Sequence, residues 1–354
     1  KRDGMRGRDE PMYGYFAGMG YNVVRVDMRG AGESDGCFYD EYLKQEQDDA
    51  IDAINWIAAQ PWCDGNVGMQ GKSWSGFNSL QVAARRPEPL KAIICIGFVD
   101  DRYTQDIHYK GGCLLNDNFW WGNIMLAYMC RAVDSEIKPD TWYEESVKRL
   151  EEMPLWPENW LKHQTRDDYW KHGSVSVNYD DIQIPVFALD GYADSYTNSV
   201  CTLMEGLSVP RKAIIGPWAH VFQHDGMPQP AMDYLGEATK WWDKWLKGID
   251  NDTMDVPQIT VWMEDSMKPE TVHPISDGRW VAVESWPSAD VNDKTLHMTY
   301  GHLQDEKNEK EEIVDLCTVQ NHGLFANEWM GAGVLGESPA DMRCDDGMAM
   351  TFDS

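Results

Sequence analysis

Two patterns of hydrophobic and polar residues alternate along this chain up to residue 250. Short apolar, β-branched runs are typical of buried parallel strands, and longer stretches with apolar residues at helical spacing are typical of crossover helices. This alternation predicts β-α-β units, which build a parallel sheet with right-handed crossovers. The strand-like runs are 21–28, 66–70, 90–97, 184–189 and 212–216, and the main helix-like stretches are 40–59, 197–207 and 231–247.

Residues 98–180 interrupt this alternation, because they are helical in pattern and crowded with aromatic side chains. We predict a helical cap inserted between two strands of the sheet. Large aromatic residues mostly form the core of such a segment, and the lining of a substrate pocket is the alternative for individual ones. The aromatic residues are Phe119, Trp120, Trp121, Tyr128, Trp142, Tyr143, Trp156, Trp160, Tyr169 and Trp170.

The pattern changes again after Val256, where short alternating runs lie between Gly, Pro and Asp turns. Such spacing is typical of an all-β domain. The predicted organisation is therefore an α/β core formed by 1–97 and 181–250, a helical cap formed by 98–180, and a β domain formed by 256–354.

Composition narrows the classes of function. The formal net charge is −28, so the chain offers little to neutralise nucleic-acid phosphates or to bind an anionic membrane surface. No apolar run reaches the roughly eighteen residues of a spanning helix. These features exclude nucleic acid and membrane as expected partners and favour a small-molecule substrate, while a homo-oligomer stays open.

The eight cysteines form neither a Cys-x-x-Cys pair nor a close cluster with histidines. A zinc site and a disulfide framework are therefore not expected, and a reducing, cytoplasmic compartment is the inference. A metal-dependent hydrolase would need a cluster of His and Asp ligands, which the sequence does not indicate. We predict that the protein uses neither a metal nor a cofactor.

The segment Gly71-Lys72-Ser73-Trp74-Ser75-Gly76 carries the candidate chemistry. It lies between a strand and a helix, where small residues allow the backbone to bend sharply. A serine at such a corner exposes its hydroxyl next to the N-terminal N–H groups of the helix. Ser73 is the candidate nucleophile, and the backbone N–H of Trp74 is a candidate donor to an oxyanion.

Two further polar residues follow later strands in the order Ser, Asp, His that a doubly wound hydrolase uses. Asp194 comes after the strand at 184–189, and His220 comes after the strand at 212–216. Acyl transfer by a serine needs a base for its proton and a carboxylate that orients the base. His220 is the candidate base and Asp194 its orienting partner.

Three neighbours are alternatives to these residues. Asp190 lies closer to the end of its strand than Asp194, Ser75 lies two residues after Ser73, and His224 lies four residues after His220. Ser75 is better explained as a small residue that permits close packing, and Asp190 as part of its strand.

The catalytic segments 71–76, 191–194 and 216–220 resemble the three catalytic blocks of the cocaine esterase / X-Pro dipeptidyl-peptidase family of serine hydrolases. Further similarity lies in the segments 27–36 and 241–248. The segment 339–347 resembles a motif of that family's C-terminal jelly roll. The resemblance implies an α/β-hydrolase sheet with a helical cap, followed by a jelly roll that ends partway.

The same resemblance implies an acyl-enzyme mechanism on an ester, an amide or a short peptide. Family members take a second oxyanion donor from a Tyr hydroxyl, which we expect upstream of Lys1, in a longer protein of which this chain is a fragment. Recognition of a substrate ammonium would need a carboxylate in the cap. A non-catalytic binding or assembly protein on the same fold is the alternative. The candidate cap acids are Asp100, Asp101, Asp106, Asp117 and Glu144.

Overall fold

The computed structural model describes residues 2–268, 270, 273–311, 313–325 and 342–354. Its centre is a six-stranded sheet. The strands in chain order are β1 (Val67–Lys72), β2 (Leu90–Ile96), β3 (Tyr109–Lys110), β4 (Cys113–Leu114), β5 (Val186–Gly191), β6 (Arg211–Gly216), β7 (Ile259–Glu264), β8 (Gly278–Val283), β9 (His297–Thr299) and β10 (His302–Gln304).

The central sheet has the spatial order β1-β2-β5-β6-β7-β8. All neighbours from β1 to β7 pair in parallel, and β8 pairs antiparallel with β7. Because parallel strands end at the same edge, the loops after β1, β2, β5 and β6 meet along one side of the sheet. This mainly parallel α/β sheet is the architecture that the sequence predicted.

Helices cover both faces of the sheet. The α-helices in chain order are α1 (Arg2–Gly18), α2 (Lys44–Ala58), α3 (Trp74–Ala84), α4 (Asp117–Met129), α5 (Trp142–Glu152), α6 (Trp156–Trp160), α7 (Asp168–Lys171), α8 (Asn198–Gly206), α9 (Tyr234–Trp245) and α10 (Arg343–Asp346).

Alternate residues of each buried strand face two separate cores, as the two-residue period of a strand requires. In β2, Ile93 and Cys95 face a core with α2, α3 and α8, whereas Ala92, Ile94 and Ile96 face a core with α1 and α9. Burial on both faces explains why these strands read as continuous apolar runs.

The segment between β2 and β5 contains α4 to α7 and the β3–β4 hairpin. Trp156, Trp160 and Trp170 are buried there and pack with Phe38 and Tyr109. These tryptophans are core residues, which is the role expected for most aromatic residues of this segment.

The prediction of a buried strand at 21–28 was wrong. These residues pair with no strand in the described part of the chain, and Val23, Val24 and Val26 are exposed. β-branched residues favour an extended backbone, but a buried strand also needs hydrogen-bonded neighbours. The segment is instead attached by side chains, including an ion pair of Arg25 with Asp9.

The sheet continues beyond residue 256, where the sequence placed a domain boundary. β7 lies beside β6, and β8 extends the sheet to Val283. Past that residue, the described chain forms the β9–β10 hairpin and α10. Residues 339–341 of the jelly-roll-like motif lie outside the described residues. No helix among those described is both long and apolar enough to cross a bilayer.

Candidate active site

Ser73 lies in a sharp turn between β1 and α3. Its backbone has φ of 62° and ψ of −129°, a conformation that costs a non-glycine residue roughly 1–3 kcal/mol. The turn is held by the Ser73 N–H, which donates to the carbonyl of Ile96 at 2.9 Å, and by the Ser73 carbonyl, which accepts from Gly76 and Phe77. This is the strained strand-to-helix corner that the sequence predicted for the nucleophile.

Small residues make this corner possible. A Cβ on Gly71 would lie 2.0 Å from the Cβ of Ser75, and a Cβ on Gly76 would lie 2.9 Å from the carbonyl oxygen of Ile96. Neither glycine has a positive φ, so each is required for space rather than for backbone freedom. Because Trp74 opens α3, its N–H belongs to the first turn, whose amides lack intrahelical acceptors.

Asp194 and His220 form a hydrogen-bonded pair at the same edge of the sheet. His220 Nδ1 lies 2.6 Å from Asp194 Oδ2, and both residues are buried. Burial alone would raise the pKa of Asp194, but the charge and the hydrogen bond of His220 lower it overall. The carboxylate therefore stays ionised and fixes the orientation of the imidazole.

Gly97, directly after β2, gives this pair its space. Its φ is +50°, and a Cβ there would lie 2.8 Å from the His220 ring and 3.0 Å from Asp194 Oδ2. The preceding residue, Ile96, accepts the hydrogen bond from the Ser73 N–H. The Ile96–Gly97 backbone thus borders both Ser73 and the Asp194–His220 pair.

Lys72 is a second connection between the two parts of the site. Its Nζ donates to the backbone carbonyl of His220 at 2.6 Å. Burial lowers the pKa of Lys72 to about 8, and the charge of Arg8 adds to this effect. The residue before the candidate nucleophile therefore anchors the loop that carries the candidate base.

The structure thus joins Asp194 to His220 and places Ser73 beside the same backbone segment. Among the described residues, no hydrogen bond joins the Ser73 hydroxyl to His220. Catalytic hydrogen bonds are often long in the absence of substrate and tighten when it binds. The serine step of the triad stays a prediction.

The alternative residues have other surroundings. His224 stacks on Tyr234 at 5.7 Å and lies 3.7 Å from Asp225 Oδ2. Ser75 is exposed, and its carbonyl accepts from the Ser79 hydroxyl. Burial and the neighbouring charge of Asp194 raise the pKa of Asp190 well above its usual value. A carboxyl group with a raised pKa is less suited to orient a cationic imidazole than the ionised Asp194.

Sequence reasoning missed Glu46, a buried residue in the first turn of α2. Its Oε1 accepts hydrogen bonds from the Trp74 indole and the Asn78 amide, each at 2.5 Å. Its Oε2 accepts from the Tyr42 backbone N–H at 2.8 Å. In the sequence Glu46 looks like a solvent-facing residue of an amphipathic helix, so only the packing of α2 on α3 identifies it.

A second buried histidine lies in the cap segment. His108 Nε2 is 2.5 Å from Glu41 Oε1, and its Nδ1 is 2.6 Å from Asn118 Oδ1. Oxygen or nitrogen atoms of Glu41, Asp106 and His108 lie within 4.8 Å of one another. However, the guanidinium of Arg102 lies 3.3 Å from the same Glu41 oxygen. Glu41 already has cationic partners, so we interpret the cluster as buried ion pairs rather than as a metal site.

The cap acids predicted to grip an ammonium differ in their surroundings. Asp101 pairs with Arg166, and Asp100 accepts from Tyr179 and Thr202. Glu144 is exposed, whereas Asp106 and Asp117 are buried.

Asp106 stands out within this set. Its Oδ1 accepts from the Ile107 N–H, and its buried Oδ2 has no hydrogen-bond partner among the described residues. Burial raises the pKa of Asp106 to about 6.

An open groove of about 800 Å³ borders the Asp194 loop. Lys110, Tyr192, Val261 and Trp286 are among the residues that line it, but Ser73 and His220 are not. Because neither Ser73 nor His220 lines the groove, we do not assign it as the substrate pocket.

Comparison with known proteins adds independent findings. The family model of the X-Pro dipeptidyl-peptidase (S15 family) matches residues 1–222, a range that includes Ser73, Asp194 and His220. The chain is 26% identical over 296 residues to a cocaine esterase of Rhodococcus sp. (strain MB1 Bresler), covering 74% of this chain and 51% of that protein.

It is also 26% identical over 293 residues to a putative Xaa-Pro dipeptidyl-peptidase of Bacillus cereus, covering 77% of this chain and 45% of that protein. The chain thus spans about half the length of the curated relatives it matches.

The structure is similar to the crystal structure of a CocE/NonD family hydrolase from Staphylococcus aureus. The TM-score is 0.63 at 19% identity, with 79% of this chain and 45% of that chain covered. At this identity the likeness shows the fold alone. It confirms the predicted α/β-hydrolase sheet.

Proposed function

Because the chain belongs to the X-Pro dipeptidyl-peptidase (S15) family, we propose that it is a serine hydrolase that cleaves an ester or amide bond of a small molecule or short peptide. The observation that carries this proposal is the buried Asp194–His220 hydrogen bond of 2.6 Å, beside the strained turn of Ser73. An ionised carboxylate that orients a histidine next to a serine corner is the arrangement that acyl transfer requires.

In the proposed reaction, Ser73 Oγ bonds to the substrate's carbonyl carbon while its proton passes to Nε2 of His220. The Trp74 N–H stabilises the negative charge that develops on the carbonyl oxygen. The carbon–oxygen or carbon–nitrogen bond then breaks, and His220 returns the proton to the leaving alcohol or amine. Water then adds to the acyl carbon while giving a proton to His220. The bond from the acyl carbon to Ser73 Oγ breaks, His220 returns the proton to that oxygen, and the acid leaves.

The names of the relatives suggest two substrate classes, because one is called a cocaine esterase and another a putative Xaa-Pro dipeptidyl-peptidase. Substrates of the second kind carry a free amine, for which Asp106 is the candidate partner. Its charge helps to raise the pKa of the Tyr196 phenol, after the larger effect of burial. The Tyr196 ring in turn contacts His220 edge-on at 5.6 Å. Comparing free-amine with N-blocked versions of one substrate tests this assignment.

A fluorophosphonate probe tests the proposed nucleophile. We expect the probe to label the chain at Ser73 and Ser73→Ala to abolish both labelling and turnover of a p-nitrophenyl ester. Ser75→Ala is the matched control, because it makes the same change two residues away on an exposed serine and should keep both activities. Labelling that survives Ser73→Ala, or no labelling of the unaltered protein, would overturn the proposal.

The non-catalytic alternative has no support from the comparisons. It predicts that the p-nitrophenyl ester is turned over equally by the unaltered chain and by Ser73→Ala.

We also propose a cytoplasmic location on the basis of the cysteines, all eight of which are free thiols.

A further inference from the structure

Glu46 is buried against the helix that follows the candidate nucleophile. Two of its three hydrogen-bond donors, the Trp74 indole and the Asn78 amide, belong to the first two turns of α3. The third, the Tyr42 backbone N–H, belongs to the loop before α2. The carboxylate therefore fastens α3 to a separate part of the chain.

All three contacts are donors, and the charge that acts on Glu46 is that of another acid, Glu41, which raises its pKa. A buried carboxylate without a cation is costly unless its lone pairs are satisfied by hydrogen bonds. Glu46 therefore depends on its three donors to offset the cost of its burial. This combination of cost and contact with the nucleophile corner points to a role in the chemistry.

The Trp74 side chain extends this connection into the cap. Its indole ring lies between Phe38, Tyr42, Trp121 and Trp156, with centroid distances of 5.6, 5.1, 6.0 and 6.2 Å. Trp121 belongs to α4 and Trp156 to α6. The residue that offers the candidate oxyanion donor is therefore held at its side chain by Glu46 and by rings from three separate segments.

We infer that Glu46 is a positioning residue: by holding the Trp74 indole and Asn78, it fixes the first turn of α3 and with it the direction of the Trp74 backbone N–H. This inference rests on the proposed function, because the direction of that N–H matters only if an oxyanion forms on the Ser73 side. A preorganised donor accelerates acyl transfer because it does not reorient as charge develops.

The protonation of Glu46 gives the role a pH signature. Burial raises the pKa of Glu46 to about 7, although the bonds from Asn78, Trp74 and Tyr42 lower it and the charge of Glu41 raises it further. A protonated carboxyl has lost the negative charge that strengthens its hydrogen bonds, so its bonds from the three donors become weaker. Acid therefore loosens the attachment of α3.

The test compares Glu46→Gln with Asp48→Asn in the full chain. Both variants change an acid of α2 to its amide, but Asp48 is exposed and pairs with Lys44 and Arg85. We expect Glu46→Gln to lower kcat for a p-nitrophenyl ester about tenfold with KM within about twofold, since complete loss of one oxyanion donor costs about 10²–10³. The affinity for an alkyl trifluoromethyl ketone, which forms an oxyanion adduct with a serine, should fall by the same factor. Asp48→Asn should change neither.

Two further measurements keep the inference open to refutation. Below pH 7, log kcat/KM of the unaltered protein should fall more steeply with decreasing pH than that of Glu46→Gln, because only the unaltered protein protonates Glu46. Trp74→Phe keeps a ring among the aromatic residues but removes the indole N–H. It should reduce kcat and ketone affinity together by about threefold, in line with loss of one buried hydrogen bond, and it carries the test if Glu46→Gln does not fold.

The outcomes separate the two proposals. If the unaltered chain reacts with neither the fluorophosphonate nor the ketone, the proposed function fails. If the unaltered chain reacts and Glu46→Gln behaves like Asp48→Asn, or loses kcat without losing ketone affinity, the inference about Glu46 alone is overturned.

Discussion

Two buried histidine–carboxylate hydrogen bonds of nearly equal length lie in different regions of this molecule. In the sheet region, His220 Nδ1 lies 2.6 Å from Asp194, and in the cap segment His108 Nε2 lies 2.5 Å from Glu41. The regions differ at the second nitrogen. His108 Nδ1 faces Asn118 Oδ1, and the ring lies fully enclosed, 4.4 Å from that of Trp160.

What the second ring nitrogen contacts distinguishes a candidate base from a structural cation. An oxygen atom faces each ring nitrogen of His108, and these surroundings favour the doubly protonated ring. Burial alone would lower the pKa of His108, but the charge and hydrogen bond of Glu41 raise it overall. In His220, Nδ1 is hydrogen-bonded to the Asp194 carboxylate. The proposed mechanism therefore uses its Nε2. A short histidine–carboxylate bond is therefore weak evidence for catalysis until the other nitrogen is accounted for.

Disrupting the Asp194–His220 hydrogen bond should have the largest effect on turnover. Asp194→Asn should lower kcat by about 10⁴, because an amide favours the wrong imidazole tautomer. Asp190→Asn is the matched control, because it makes the same change on an acid whose Oδ1 accepts from the Gly191 N–H rather than from His220, and it should keep kcat within about threefold. Steady-state turnover of a p-nitrophenyl ester measures both. Equal losses in the two variants would contradict the assignment of Asp194.

A smaller effect is expected from crowding the same pair. Gly97→Ala would place a methyl group 2.8 Å from the His220 ring, so the ring must shift. A shift of a catalytic group by about 1 Å costs about 10² in rate. Gly111→Ala controls for backbone strain, because Gly111 also has a positive φ, of +57°, but meets nothing within 4 Å. Both variants should lose some stability, measured by urea unfolding, and only Gly97→Ala should lose turnover.

Removing His108 from its pair with Glu41 in the cap segment should have the smallest effect on turnover. It should lower the stability of the fold instead. His108→Asn leaves Glu41 buried with fewer cationic partners and should lower the free energy of unfolding by about 3 kcal/mol. Turnover per folded molecule should stay within about threefold. His163→Asn, in the half-exposed pair with Asp167, should cost less than about 1 kcal/mol.

The pH dependence of this loss follows from the signs of the two shifts. Glu41 has a lowered pKa, so its contribution is present above its unfolded value of 4.5 and is lost as pH falls. His108 has a raised pKa, so its contribution is present below its unfolded value of 6.5 and is lost as pH rises through its folded value. The cost of His108→Asn should therefore be largest between pH 4.5 and 6.5. A cost that grows above pH 7 would show that His108 is neutral in the folded protein.

The strands and the chain order of the site could be predicted from the sequence, because both depend on local patterns. Burial on both faces makes β2 and β5 continuous apolar runs, and strand ends identify where polar residues gather. That reasoning placed Asp194 and His220 at one edge, where the structure joins them.

Other features depend on contacts between distant segments and left no local signal. Gly97 looks like an ordinary glycine after a strand, and only the His220 ring beside it explains its presence. The predicted strand at 21–28 shows the opposite error, since β-branched residues alone do not supply a hydrogen-bonded neighbour. The side chain of Trp74 left no signal either, because the candidate donor is its backbone N–H, and only the structure shows that its indole donates to Glu46.

The parallel pairing of β6 with β7 has a practical consequence for anyone who dissects this protein. A shortened version that stops at residue 255 would remove β7 and leave the strand before His220 as an open margin, with unpaired amides that invite aggregation. Cutting instead after Val283 keeps β7 and β8 in place, so that position is the rational limit for recombinant trimming.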